Sequence, residues 1–126
     1  NHKTISVSAF MCICAISNFN VVYIDGKKMY TLLNNEDITT NLNIIEKTSN
    51  GYSIFMGSKD EIYQKYMQSR EQLWQIDNLR KPLRGISSYK AKDLQDICHK
   101  LHIDINNDKK MPKKKSLLYK MIRENL

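Results

Sequence analysis

The stretch NVVYIDGKKMYTLL, residues 20–33, decides how the first part of this chain is read. Two runs rich in Val, Ile and Tyr flank Asp25-Gly26, a dipeptide that tolerates the positive φ of a tight turn, so a β-hairpin is predicted with strands near residues 20–25 and 28–33. The same logic recurs in LNIIEKTSNGYSIFMG, residues 42–57, around Asn50-Gly51. Two hairpins imply a small antiparallel sheet, and the polar NNEDITTN between them is a loop.

Upstream, TISVSAFMCICAIS (residues 4–17) places Ile5, Ala9, Cys12 or Ile13, and Ile16 at steps of three and four. That spacing predicts a helix with a buried stripe, while its β-branched content leaves a strand open. Downstream, SKDEIYQKYMQSREQLWQI (residues 58–76) predicts a second helix capped by Ser58, with Asp60 and Glu61 complementing its dipole. Ile62, Tyr66, Arg70 and Leu73 mark its faces and Trp74 its end. Both helices are expected on one side of the sheet.

Pro82 and Gly85 in DNLRKPLRGISS interrupt regular structure, which sets a boundary between residues 1–79 and 80–126. Beyond it, YKAKDLQDICHKLHI puts Ala91, Leu94, Ile97, Cys98 and Leu101 on one helical face, with Ser87 or Ser88 as N-cap. The polar DINNDKKMPKKK leads to a last helix striped by Leu117, Leu118, Met121 and Ile122, with Pro112 suited to its first turn. The expected class is therefore α+β: an αββββα module, then an all-α helix-loop-helix.

Charge divides at the same boundary. Residues 1–79 hold 7 Lys and Arg against 8 Asp and Glu, a net of −1, whereas residues 80–126 hold 13 against 5, a net of +8. Such asymmetry points the second part toward a polyanion. The hydrophobic fraction of 41% and charged fraction of 26% are those of a globular chain, not a disordered one. Cys12, Cys14 and Cys98 form no disulfide framework, so a reducing, intracellular compartment is expected. The longest apolar run, ISVSAFMCICAI, is too short to span a bilayer, so no membrane partner is expected. A first residue of Asn1 in place of Met suggests a processed product or a fragment of a longer protein.

Residues 86–126 carry a resemblance. SSYKAKDLQDICHKLHI and KKKSLLYKMIRENL follow the apolar and Lys-Leu spacing, then the paired lysines, of the SAP module, a helix-loop-helix found in proteins that bind chromosomal or viral DNA. His102 stands where that family usually has Gly, so the left-handed turn after the first helix falls to a less permissive residue. The connecting loop is also longer than usual and lacks the customary Gly before its lysines.

Five lysines, Lys109, Lys110, Lys113, Lys114 and Lys115, fall within seven residues at the start of the last helix. Cations oppose the helix dipole there, at about 0.3–1 kcal/mol each, and a bound phosphate reverses that sign. Lys90, Lys92 and Arg84 extend the candidate DNA-binding set, with Arg80 and Lys81 as a flexible basic arm. Lysines contact phosphates more than bases, so weak or shape-based preference is expected, for DNA over RNA. Tyr89 and Tyr119 suit either base stacking or half-buried packing.

No catalytic set, phosphate-binding Gly loop, metal-ligand spacing or cofactor motif is visible. Asp60 with Glu61 and Asp93 with Asp96 lie where helix dipoles favour acids, and Cys98 with His99 and His102 reads as a core thiol beside surface histidines. His2, Cys12 and Cys14 add no ligand spacing. The expectation is a non-catalytic DNA tether in a nucleus, viral factory or virion, with residues 1–79 free to dock a protein or a second copy. The alternatives are a scaffold protein, such as a minor virion component, and the accessory end of a nucleic-acid enzyme.

Overall fold

The computed structural model describes residues 7–38 and 41–126, apart from the side chains of residues 7, 8, 14 and 15. Among the described residues the class is α+β: a five-stranded mixed sheet and four α-helices. Ile5 and His2 lie outside the described residues.

Both hairpins form where the turn residues direct. Strand β1 (Asn20–Asp25) pairs antiparallel with β2 (Lys28–Leu32), closing at Asp25 opposite Lys28. Gly26, at φ +61°, takes the positive angle that this two-residue loop needs. Strand β3 (Leu42–Thr48) pairs with β4 (Gly51–Ile54), closing at Thr48 opposite Gly51, so the loop is Ser49-Asn50 and Gly51 opens the next strand.

The sheet is mixed, not antiparallel. Its order is β4-β3-β1-β2-β5, and the two hairpins join through a parallel β1–β3 pair at the centre. That pairing obliges the chain after β2 to cross the end of the sheet, and one buried side chain holds the start of the crossing. Asn20 is fully buried, its Oδ1 accepting from the amides of Asn34 (2.7 Å) and Asn35 (2.8 Å) while its Nδ2 donates to the Asn35 carbonyl at 3.0 Å.

Helices α1 (Val7–Ile16) and α2 (Lys59–Gln72) lie on opposite faces, correcting the expectation of a shared side. Alternation along β1 explains it: Val22 and Ile24 join Met29, Leu42, Ile44 and Tyr66 of α2, whereas Val21 and Tyr23 join Ile45 and Met11 of α1. Helix α1 is apolar nearly all round, so spacing alone could not select its buried face. Met11 packs on the sheet, while Cys12, Ile13 and Ile16 are exposed.

Helix α2 begins as expected. The Ser58 hydroxyl accepts from the Glu61 amide and the Glu61 carboxylate from the Ser58 amide, which holds the Glu61 carboxyl below its ordinary range. It ends four residues early. Leu73 turns extended, and Trp74–Ile76 becomes β5, parallel to β2, with the Trp74 amide donating to the Lys27 carbonyl at 2.8 Å. Leu73 packs on the α2 face and Trp74 against the C-terminal helices, a division that a continuing helix would not allow.

Asn20→Ala is expected to cost about 1–3 kcal/mol, because buried amides lose their acceptor; a urea titration measures it. Burial, with Asp25 and then Tyr52 adding, pushes the Tyr23 phenol up from 10.0 to about 12. The folded chain thus keeps this proton longer than the unfolded one, so the stability it contributes is intact below about pH 10 and is lost as pH rises toward 12. Urea midpoints of wild type and Tyr23→Phe compared across that window should diverge, with the wild type falling more.

Candidate nucleic-acid interface

Helices α3 (Ala91–Lys100) and α4 (Lys115–Glu124) pack around a cluster of Leu83, Leu94, Ile97, Cys98, Leu101, Leu118 and Ile122. Trp74, Tyr89, Ile103, Ile105 and Tyr119 close its margin. Of the expected stripes, Leu94, Ile97, Cys98, Leu101, Leu118 and Ile122 are buried in the cluster, whereas Ala91 and Leu117 are exposed and Met121 is half-buried outside it. Burial raises the Cys98 thiol, so it stays protonated within the core.

The N-cap of α3 is Lys90, not Ser87 or Ser88, which fall in a 3-10 turn over Ile86–Ser88. Asp93 Oδ2 accepts from the Lys90 amide at 2.8 Å. The other end closes as a Schellman motif: the His102 amide donates to the His99 carbonyl at 3.3 Å and the Ile103 amide to that of Cys98 at 2.8 Å. His102 sits at φ +59°, so the left-handed position is made by histidine. Lys27 from the β1–β2 loop then donates to the Leu101 carbonyl at 2.7 Å, a cation at a helix C-terminus. Lys100 also bonds the Glu71 carbonyl, so the helical pair is tied to the sheet module at two points. No local pattern announces either lysine, since both partners lie far along the chain.

The long loop between the helices is itself built. Asn106 and Pro112 form a β-bridge, the Lys113 amide donates to the Ile105 carbonyl at 2.8 Å, and Asn107 turns the chain back. Asn107 Oδ1 accepts from the amides of Lys109 (2.9 Å) and Met111 (3.0 Å). Lys109 and Lys110 therefore stand at the tip of a small hairpin whose base is the start of α4. Pro112 belongs to that hairpin and not to the first turn of the helix.

The lysines at the base differ from one another. Lys113 folds back, Nζ donating to the Asp104 carbonyl at 2.7 Å and lying 3.5 Å from Met121 Sδ. Lys114 is the N-cap and Lys115 the first helical residue; this turn has neither an acid nor a capping side chain. Lys109, Lys110, Lys114 and Lys115 have no acidic partner among the described residues. Lys90 and Lys92 are exposed at the start of α3, likewise unpaired.

Arg84 is different. Its guanidinium pairs with Asp77, its amide donates to Tyr89 Oη at 2.9 Å, and its carbonyl accepts from the Tyr119 hydroxyl at 2.7 Å. Both tyrosines are thus half-buried packing residues anchoring the linker. With Leu83 buried and Asn78 Oδ1 accepting from the amides of Arg80 (2.9 Å) and Lys81 (3.3 Å), residues 78–84 are an ordered connection, not a free arm.

Among the described residues no group of three or more metal-ligating side chains comes together, and no helix is long and apolar enough to cross a membrane. No family model, curated protein or solved structure matches the chain.

Leu118 is fully buried between the helices, so Leu118→Ala is expected to cost about 2–5 kcal/mol. Fluorescence of Trp74, the single tryptophan, should follow that loss in a urea titration because the indole packs on the same cluster.

Proposed function

We propose that residues 80–126 hold DNA by its phosphate backbone, as a SAP-like helix-loop-helix, and that the chain acts as a non-catalytic tether. The observation that carries this reading is the start of α4: an uncapped, acid-free helix end bearing Lys114 and Lys115, with Lys109 and Lys110 on the hairpin above. Free amides and the helix dipole stabilise a phosphate there, and the ammonium groups add to it. The same lysines without an anion work against the dipole.

Lys90 and Lys92 extend the set, and Lys113 adds charge while bracing the Asp104 carbonyl. Arg84 contributes through position more than charge, given its pairing with Asp77. No base-reading constellation accompanies these groups, so the contact is one of backbone and shape, in a nucleus, viral factory or virion. A second reading, that the sheet module docks a protein in a scaffold, is favoured by the exposed Ile13 and Ile16 of α1.

About five phosphate contacts give a slope of log K against log[salt] near −4 to −5 on duplex DNA. The full chain with Lys109, Lys110, Lys114 and Lys115 all changed to Gln is expected to lose most of that slope and at least about ten-fold in affinity at low salt. Anisotropy titrations at two salt concentrations measure both. Equal slopes and affinities would transfer the function to the scaffold reading.

A further inference from the structure

The first 79 residues are near neutral as a whole, yet the sheet gathers cations on one face. A pocket of about 370 Å³ there is lined by Tyr23, Tyr30 and Tyr52 together with Lys28, Lys47 and Arg80. The strand register builds it: Tyr23 lies opposite Tyr30, and Lys47 opposite Tyr52, so these four share the α1 face. Arg80 arrives from the ordered linker, its amide held by Asn78.

Its chemistry is specific in kind. The Tyr23 and Tyr52 rings stand 6.2 Å apart at 51°, and Tyr52 is 52% exposed at the edge of the sheet. Asp25, the one acid in the lining, lies 3.8 Å from Lys28, while Lys47 and Arg80 have no acidic partner among the described residues. The volume falls in the range of about 300–1,000 Å³ typical of ligand sites. Aromatic rings beside unpaired cations fit a planar base joined to a phosphate, because every base has a π-face and the sugar-phosphate follows the charge. A purely apolar ligand would leave two cations unused, and an inorganic anion would leave the rings unused.

We propose that this pocket binds an unpaired nucleotide of a single strand, the base stacking on Tyr52 at the β4 edge and the phosphate meeting Lys47 and Arg80. The site is separate from the α4 lysines, and gives the chain a single-strand contact in addition to its duplex contact. The shared chemistry, base plus phosphate, also describes a free nucleotide.

The test is fluorescence anisotropy of the full chain with a short labelled oligothymidylate, with free thymidine monophosphate as competitor. Tyr52→Ala should weaken the oligonucleotide about five-fold or more, the loss of one stacked base, while Tyr52→Phe keeps the ring and stays near wild type. Lys47→Gln with Arg80→Gln should weaken it and flatten the salt slope by roughly 0.7 for each lost contact. Both effects should persist when Lys109, Lys110, Lys114 and Lys115 are Gln, which separates this site from the duplex one. Displacement by the monophosphate at comparable concentration would assign the pocket to free nucleotides, contradicting the single-strand proposal. Unchanged oligonucleotide affinity in Tyr52→Ala and in the Lys47/Arg80 pair, with native urea midpoints, would overturn it, as would equal losses in Tyr52→Ala and Tyr52→Phe.

Discussion

The burial of Leu118 and Ile122 against Leu94, Cys98 and Leu101 fixes everything the C-terminal helices can do. Helical residues four apart share a face, so seating these two side chains in the cluster sets the rotation of α4. The hairpin of residues 105–113, pinned by Ile105 and the Asn106–Pro112 bridge, sets where that helix starts. With phase and start both fixed, the uncapped amides of the first turn and the Lys114 and Lys115 side chains have one place to be. The candidate site is a by-product of apolar packing, and the cations decorate an end that packing has already placed.

Local signals were legible in the sequence. Asp25-Gly26 marks a hairpin because the turn takes a positive φ at Gly26, Asn50-Gly51 marks the second to within one residue because Gly51 opens β4 at φ +132°, and Ser58 with Glu61 marks the start of α2 because both groups of the capping box lie within one turn. Long-range pairings were not. Nothing in either hairpin says that β3 lies parallel to β1, since the device that allows it, Asn20 gripping the crossing loop, is one polar residue at the head of an apolar strand. Helix α1 shows the limit of periodicity: apolar residues on every side leave the choice of buried face to the sheet, which took Met11. Trp74 and Leu73 likewise answer to two different cores, which breaks a helix that local preference would continue.

The lysines at the helix start were legible as a cluster but not as individuals. Lys113 looks like its neighbours in the sequence, yet it braces the Asp104 carbonyl, and Arg84 spends its charge on Asp77. Lys27 and Lys100 work across the sheet and the helices. The two tethers also mean that the basic end and the sheet, with its tyrosine-lined pocket, are connected by hydrogen bonds and not by the chain alone.

On the proposed reading, phosphate oxygens meet the backbone amides opening α4. Amide chemical shifts of the isotopically labelled full chain, followed by NMR as short duplex DNA is added, test it most directly. The largest changes are expected at Lys115, Ser116 and Leu117, with Lys109 and Lys110 next. Saturable changes confined to other segments, with these amides unmoved, would contradict the account.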